Sequence, residues 1–115
     1  SAMVAVAGAK IFFPRVVAPR FFNQPPDEAA IEKVIAEEVP PLFDYLEGQL
    51  AGEWLVGDRF TIADVSVGTI FVNLRHAGVT PDAGRWPKLA RWVARVQERP
   101  SFRALIDEDR AALGG

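Results

Sequence analysis

The chain contains no cysteine and a single histidine. Without cysteine, the chain itself cannot hold a disulfide, a cysteine-ligated zinc site or a thiol nucleophile. This composition is compatible with a reducing cytoplasm, which is the compartment that we expect. His76 has no carboxylate at the spacing of a metal site or a catalytic triad. We therefore predict no catalytic residue, no metal ligand and no cofactor within this chain.

The chain also lacks a strong excess of either charge. Its 13 basic and 15 acidic side chains give a formal net charge of −2. This balance provides no electrostatic basis for binding nucleic acid or an anionic membrane surface. We also expect no membrane-spanning segment, because Lys10, Arg15 and Arg20 interrupt the apolar N-terminal run.

A length of 115 residues, half of them hydrophobic, indicates one domain with a substantial core. We interpret residues 1–3 as a probable expression-vector remnant and assign the domain to residues 4–113. No strand pattern and no internal repeat is evident, so the predicted fold is an all-α bundle of about five helices.

The first predicted helix covers the apolar and aromatic residues 4–22, with Phe12, Phe13 and Val16 on one face. Pro14 and Pro19 predict a break in this helix, since an interior proline removes a helical hydrogen bond. The helix begins without a capping signal, which suggests that its first turns lie upstream of this sequence.

The second predicted helix starts at Asp27 and keeps one apolar stripe as far as Leu50. Pro40 and Pro41 interrupt it, and the unbroken stripe favours a kinked helix over two separate ones. Pro87 begins a fourth helix, and Ser101 is predicted to cap a fifth. The expected core residues of the last two helices are Leu89, Trp92, Val93, Val96, Phe102, Leu105 and Ile106.

The most informative stretch begins the third helix. Thr61 and Asp64 have the spacing of a capping box, in which each side chain accepts from the other residue's backbone N–H. Phe60 and Val65 occupy the two positions of a hydrophobic staple. The helix that follows, to about Ala77, is apolar nearly all round and should lie at the centre of the bundle. Gly68 suggests that another helix backbone passes close to it.

Several segments together resemble the C-terminal domain of cytosolic glutathione S-transferases, especially bacterial ones. The similarity covers about residues 10–112, and its most specific part is the motif from Thr61 to Asp64. The other segments that carry it are Leu42-Phe43-Asp44-Tyr45-Leu46-Glu47, Trp54-Leu55-Val56-Gly57-Asp58-Arg59-Phe60, Trp86-Pro87-Lys88-Leu89 and Arg99-Pro100-Ser101-Phe102.

The resemblance implies a helical domain that binds the hydrophobic co-substrate and contributes to a homodimer. It also implies an N-terminal thioredoxin-like partner domain that binds glutathione, the co-substrate of the parent enzyme, and carries the catalytic residue. Nothing in this sequence is similar to that domain, so the chain alone should be inactive. The residues of this sequence that match the family's co-substrate site are Phe12, Phe13, Arg15, Val16 and Arg20. Arg15 or Arg20 would lie near an acidic group of the ligand. The alternative is that Phe12, Phe13 and Val16 are ordinary core residues.

A second function remains open at this stage. Similar helical domains act by association in some translation-factor and synthetase assemblies. The chain is therefore either the co-substrate domain of a glutathione transferase or a freestanding protein–protein interaction module.

Overall fold

Six helices form the regular structure of residues 1–114, which are the residues described by a computed structural model. No strand occurs among these residues, and one isolated antiparallel bridge joins Val56 to Arg59. The predicted all-α fold is confirmed. The helices are α1 (Ala2–Phe21), α2 (Glu28–Glu37), α3 (Val39–Gln49), α4 (Ile62–His76), α5 (Pro87–Gln97) and α6 (Pro100–Ala112).

The helix α1 is continuous through both prolines, so the predicted break is wrong. Its central part, Ala5–Val17, is π-helical, and the N–H of Ala18 donates to the carbonyl of Phe13, five residues earlier. In an α-helix the ring of Pro14 would meet the carbonyl four residues before it, and the wider π-helical turn changes that spacing. Pro19 lies in the first turn of the closing α-helical segment, where a proline is tolerated.

The start of α1 also differs from the expectation. The hydroxyl of Ser1 accepts from the N–H of Val4 at 3.4 Å, and the side chain of Met3 packs against the core. The helix therefore has an N-cap, which the sequence reading missed because it set residues 1–3 aside.

By length and composition alone, the 20-residue helix α1 could cross a membrane, a criterion that the core helix of a soluble protein also meets. Lys10, Arg15 and Arg20 therefore do not make the run too short by this criterion, and the absence of a membrane-spanning segment stays a prediction. One side of α1 packs against α2 and α4 and buries Val6, Ala7 and Ile11. Val4, Phe13 and Phe21 of α1 are exposed.

The segment from residue 28 to residue 49 divides into two helices at Glu38, where a single kinked helix was predicted. The division is slight, because the backbone of Glu38 remains near helical values (φ −101°, ψ −28°). Pro40 and Pro41 fall in the first turn of α3, where their missing N–H groups have no helical partner to lose. The stripe faces the core as expected, and Phe43, which the stripe omitted, is also buried.

The helix α4 lies between α1 and α5. It ends in a Schellman motif, in which Val79 N–H donates to Leu74 O at 2.9 Å and Gly78 N–H donates to Arg75 O at 3.0 Å. Gly78 has φ +80°, the left-handed conformation expected of it. The helix is not buried all round, since Ile62 is 76% exposed.

Asp64 is a completely buried carboxylate at the start of α4. Its Oδ2 accepts from the N–H of Thr61 at 2.9 Å, and the Thr61 hydroxyl accepts from the N–H of Ala63 at 3.3 Å, within the capping box. Its Oδ1 accepts from the N–H of Leu55 at 2.9 Å and from the indole of Trp92 at 2.8 Å. One side chain therefore joins the helix start to the preceding loop and to α5.

Two further details of the packing differ from the sequence reading. Gly68 is close to the side chains of α5 and α6, not to a helix backbone: a Cβ at this position would lie 2.8 Å from Val96 Cγ1. The N-cap of α6 is Arg99, with Pro100 at the first helical position, so Ser101 is inside the helix and does not cap it.

Candidate functional site

The structure separates the five predicted ligand-binding residues of α1. Phe12 is half-buried, and Phe13 is 45% exposed and packs on Phe22, with 5.9 Å between ring centroids. Arg20 is exposed, with its guanidinium over the ring of Phe21. Arg15 and Val16 line a cleft.

The guanidinium of Arg15 is largely occupied by structural contacts. It donates to Glu28 (2.7 Å) and Glu32 (2.7 Å) on α2, and to the carbonyl of Ala77 (3.0 Å) after α4. The hydrogen bond to Glu28 raises the pKa of Arg15 above its ordinary value despite partial burial. Arg15 therefore joins three elements, and most of its donors are already used.

The cleft lies between α1, the last turn of α4 and the end of α6, and its volume is about 390 Å³. Its walls combine guanidinium groups with a few apolar side chains. The lining residues are Arg15, Val16, Arg75, His76, Arg110, Leu113 and Gly114. We call this space the α1–α6 cleft.

Local sequence explains why cations collect at the α1–α6 cleft. Arg75 lies in the last turn of α4, and Arg110 lies in the last turn of α6, where basic side chains interact favourably with the helix dipole. The Oε1 of Gln97 on α5 accepts from Arg75 at 2.8 Å and holds its side chain in place. The sequence reading did not assign Arg75 or Arg110 to a site, although their helix-end positions were a usable signal.

His76 has a carboxylate partner that sequence spacing could not reveal. Its Nε2 is 3.3 Å from Oδ2 of Asp109, and its side chain is 9% exposed. The partner is 33 residues away in sequence, on α6. No carboxylate lies at a suitable spacing from His76 in the sequence, but folding brings Asp109 of α6 next to it.

A second cleft, of about 570 Å³, is formed by α4, α5 and α6. It shares Arg75 and Arg110 with the α1–α6 cleft, but it also includes the acidic residues Glu98 and Asp107. Within residues 1–114, no group of three or more histidine or acidic side chains is placed to hold a metal ion. The α1–α6 cleft is thus the place where a predicted α1 site residue meets cations from other helices.

Comparison with protein families gives one match that covers most of the chain. Residues 13–109 match the family described as "Glutathione S-transferase, C-terminal domain". The matched segment contains all of α2 to α5 and most of α6.

Three curated relatives illustrate the similarity. Glutathione S-transferase GstB of Escherichia coli is 33% identical over 84 residues, which are 70% of this chain and 38% of that protein. The 2,5-dichlorohydroquinone reductive dechlorinase of Sphingobium indicum is 32% identical over 84% of this chain and 28% of its own length. Probable glutathione S-transferase GSTF2 of rice is 30% identical over 79% of this chain and 42% of its own length.

The matched region is less than half the length of each of these relatives. The three relatives include two named as glutathione S-transferases and one named as a reductive dechlorinase. No solved structure matches the chain significantly.

Proposed function

The chain belongs to the glutathione S-transferase C-terminal domain family, and from this premise we propose that it forms the co-substrate-binding and dimerisation part of a glutathione S-transferase. The observation that carries the proposal is the family match over residues 13–109. The co-substrate site that we propose is the α1–α6 cleft, because Arg15 and Val16 of the predicted site line it. Phe12, Phe13 and Arg20 remain proposed contributors from the same segment of α1.

We assign glutathione binding and the catalytic residue to a thioredoxin-like domain outside these helices. The exposed apolar surface of α1 supports this assignment, since a partner domain or a second subunit would cover it. Its exposed aromatic side chains include Phe13, with Phe21 54% exposed and Phe22 just after the helix. A homodimer and a cytoplasmic location are part of the same proposal.

We expect the isolated chain to have no glutathione transferase activity. The purified chain should pass through a glutathione affinity column, and it should not accelerate conjugation of glutathione to a chloronitrobenzene above the uncatalysed rate. An active glutathione transferase run in parallel is the positive control. Retention on the column together with robust turnover by the chain alone would contradict the division of roles between two domains.

The coding sequence upstream of α1 distinguishes this proposal from the alternative of a freestanding interaction module. A thioredoxin-like segment encoded directly upstream of α1 supports the enzyme, and fusing that segment to this chain should restore conjugation. An open reading frame without such a segment supports the module instead.

A further inference from the structure

We propose that the co-substrate bound in the α1–α6 cleft carries a carboxylate, held by the guanidinium groups of Arg110 and Arg75. This inference rests on the proposed function and names the chemical class of ligand at the same site. It begins from the charges that surround the cleft.

The side chains that line the α1–α6 cleft include three arginines and no carboxylate. Three acidic groups that contact its lining residues already have partners: Glu28 and Glu32 bind Arg15, and Asp109 contacts His76. Arg110 forms no hydrogen bond or ion pair with another side chain within residues 1–114, and Arg75 bonds to the neutral oxygen of Gln97. Neither Arg75 nor Arg110 therefore forms an ion pair with a carboxylate among these residues, although Glu98 and Asp107 line the neighbouring cleft with them.

Arg75 and Arg110 differ in how their N–H donors are available to an anion. Gln97 fixes one N–H of Arg75 and leaves the rest of its fork of donors for another acceptor. Arg110 lies on α6, on the other side of the cleft, and it is exposed. Guanidinium groups bind carboxylates through paired, charge-assisted hydrogen bonds, which are stronger than bonds between neutral groups.

The shape of the cleft specifies the remainder of the ligand. A volume of about 390 Å³ suits a small molecule. Val16 and Leu113 provide apolar contacts beside the guanidinium groups. The chemistry that fits is an acid with an apolar body, since a neutral hydrocarbon of the same size would form no hydrogen bond with either guanidinium group.

A matched pair of probes tests the inference, 1-naphthoate and its neutral isostere 1-naphthamide, each titrated into the full chain by NMR or calorimetry. We expect naphthoate to bind at least about tenfold more tightly than naphthamide, as one charge-assisted hydrogen bond warrants. Arg110→Ala should remove most of this preference, and Arg110→Lys should retain part of it. Arg103→Ala, on the same helix but outside the α1–α6 cleft, should leave it unchanged.

Each alternative outcome bears on the inference. Equal binding of the two probes overturns it and leaves the proposed function standing, since a hydrophobic site without charge selection remains. A naphthoate preference that survives replacement of both Arg110 and Arg75 by alanine places the anion elsewhere and also overturns it. If neither probe binds, both the inference and the location of the co-substrate site are overturned. The two-domain proposal is tested separately, by the conjugation assay. Far-UV circular dichroism of each variant establishes that it folds.

Discussion

Replacement of Asp64 by alanine should lower the free energy of unfolding by about 3–5 kcal/mol, because it leaves one buried and one partly buried donor without an acceptor, at a cost of about 1–3 kcal/mol each, and also removes the helix cap. The two donors are the backbone N–H of Leu55 and the indole N–H of Trp92. Thr61→Ala should cost less, about 0.5–2 kcal/mol, which is the range for loss of an N-cap alone. The sequence motif by itself predicts similar costs for the two changes.

Chemical denaturation of the two variants, followed by circular dichroism, measures this difference. Asp58→Ala is the matched control, since Asp58 is an exposed carboxylate in the same loop, and its unfolding should overlay that of the original chain. Equal midpoints for Asp64→Ala and Thr61→Ala would show that the contacts of Asp64 with Leu55 and Trp92 contribute nothing beyond the capping box.

The same carboxylate should make stability depend on pH. Burial acts to raise the pKa of Asp64, but donation from Leu55, Thr61 and Trp92 outweighs it, and the pKa is lowered from its ordinary value of 3.8. Because the unfolded chain then binds the proton more readily, this contribution to stability is complete above the unfolded pKa and is lost as the pH falls through the folded pKa. As the pH falls below about 4, the Asp64→Asn variant should lose less of its free energy of unfolding than the original chain does.

Gly68→Ala should lower the free energy of unfolding by about 1–3 kcal/mol, the usual cost of inserting a methyl group into a packed core. The added Cβ would lie 2.8 Å from Val96 Cγ1 and 3.1 Å from the ring of Phe102. Both neighbours are buried, and the branched side chain of Val96 has little freedom to move away. The steric cost outweighs the gain of up to about 1 kcal/mol that alanine brings to a helix.

Gly48→Ala is a control with the opposite sign. Gly48 lies on the exposed side of α3, and a Cβ there would meet no atom within 4 Å. Alanine at this position should raise the free energy of unfolding by up to about 1 kcal/mol, since only helix propensity changes. A stabilised Gly68→Ala variant would mean that α4, α5 and α6 pack less tightly than described.

Local signals in the sequence identified the fold because helix starts and ends depend on short-range contacts. The motif at Thr61 and Asp64 located the start of α4. Pro14 misled the reading, since the π-helical turn that accommodates it leaves no signature in the residue pattern. The buried contact between Asp64 and Trp92, 28 residues apart, could not be read from spacing.

The candidate site was harder to predict, because it is made from helix ends that are distant in sequence. Arg15 or Arg20 was expected beside an acidic ligand group, and in the structure Arg15 joins α1 to α2 and to the end of α4. The cations that remain for a ligand, Arg75 and Arg110, become neighbours of α1 only after folding. Val16 lines the α1–α6 cleft, and its role toward a ligand is a proposal.

The central claim, that the α1–α6 cleft is the co-substrate site, is tested most directly by NMR. Backbone amide resonances of the chain are recorded while an aromatic acid such as 1-naphthoate is added. We predict that the largest shift changes fall on residues 12–20 of α1 and 110–114 at the end of α6. Changes confined to the other helices, or none at saturation, would contradict the assignment of the co-substrate to this cleft.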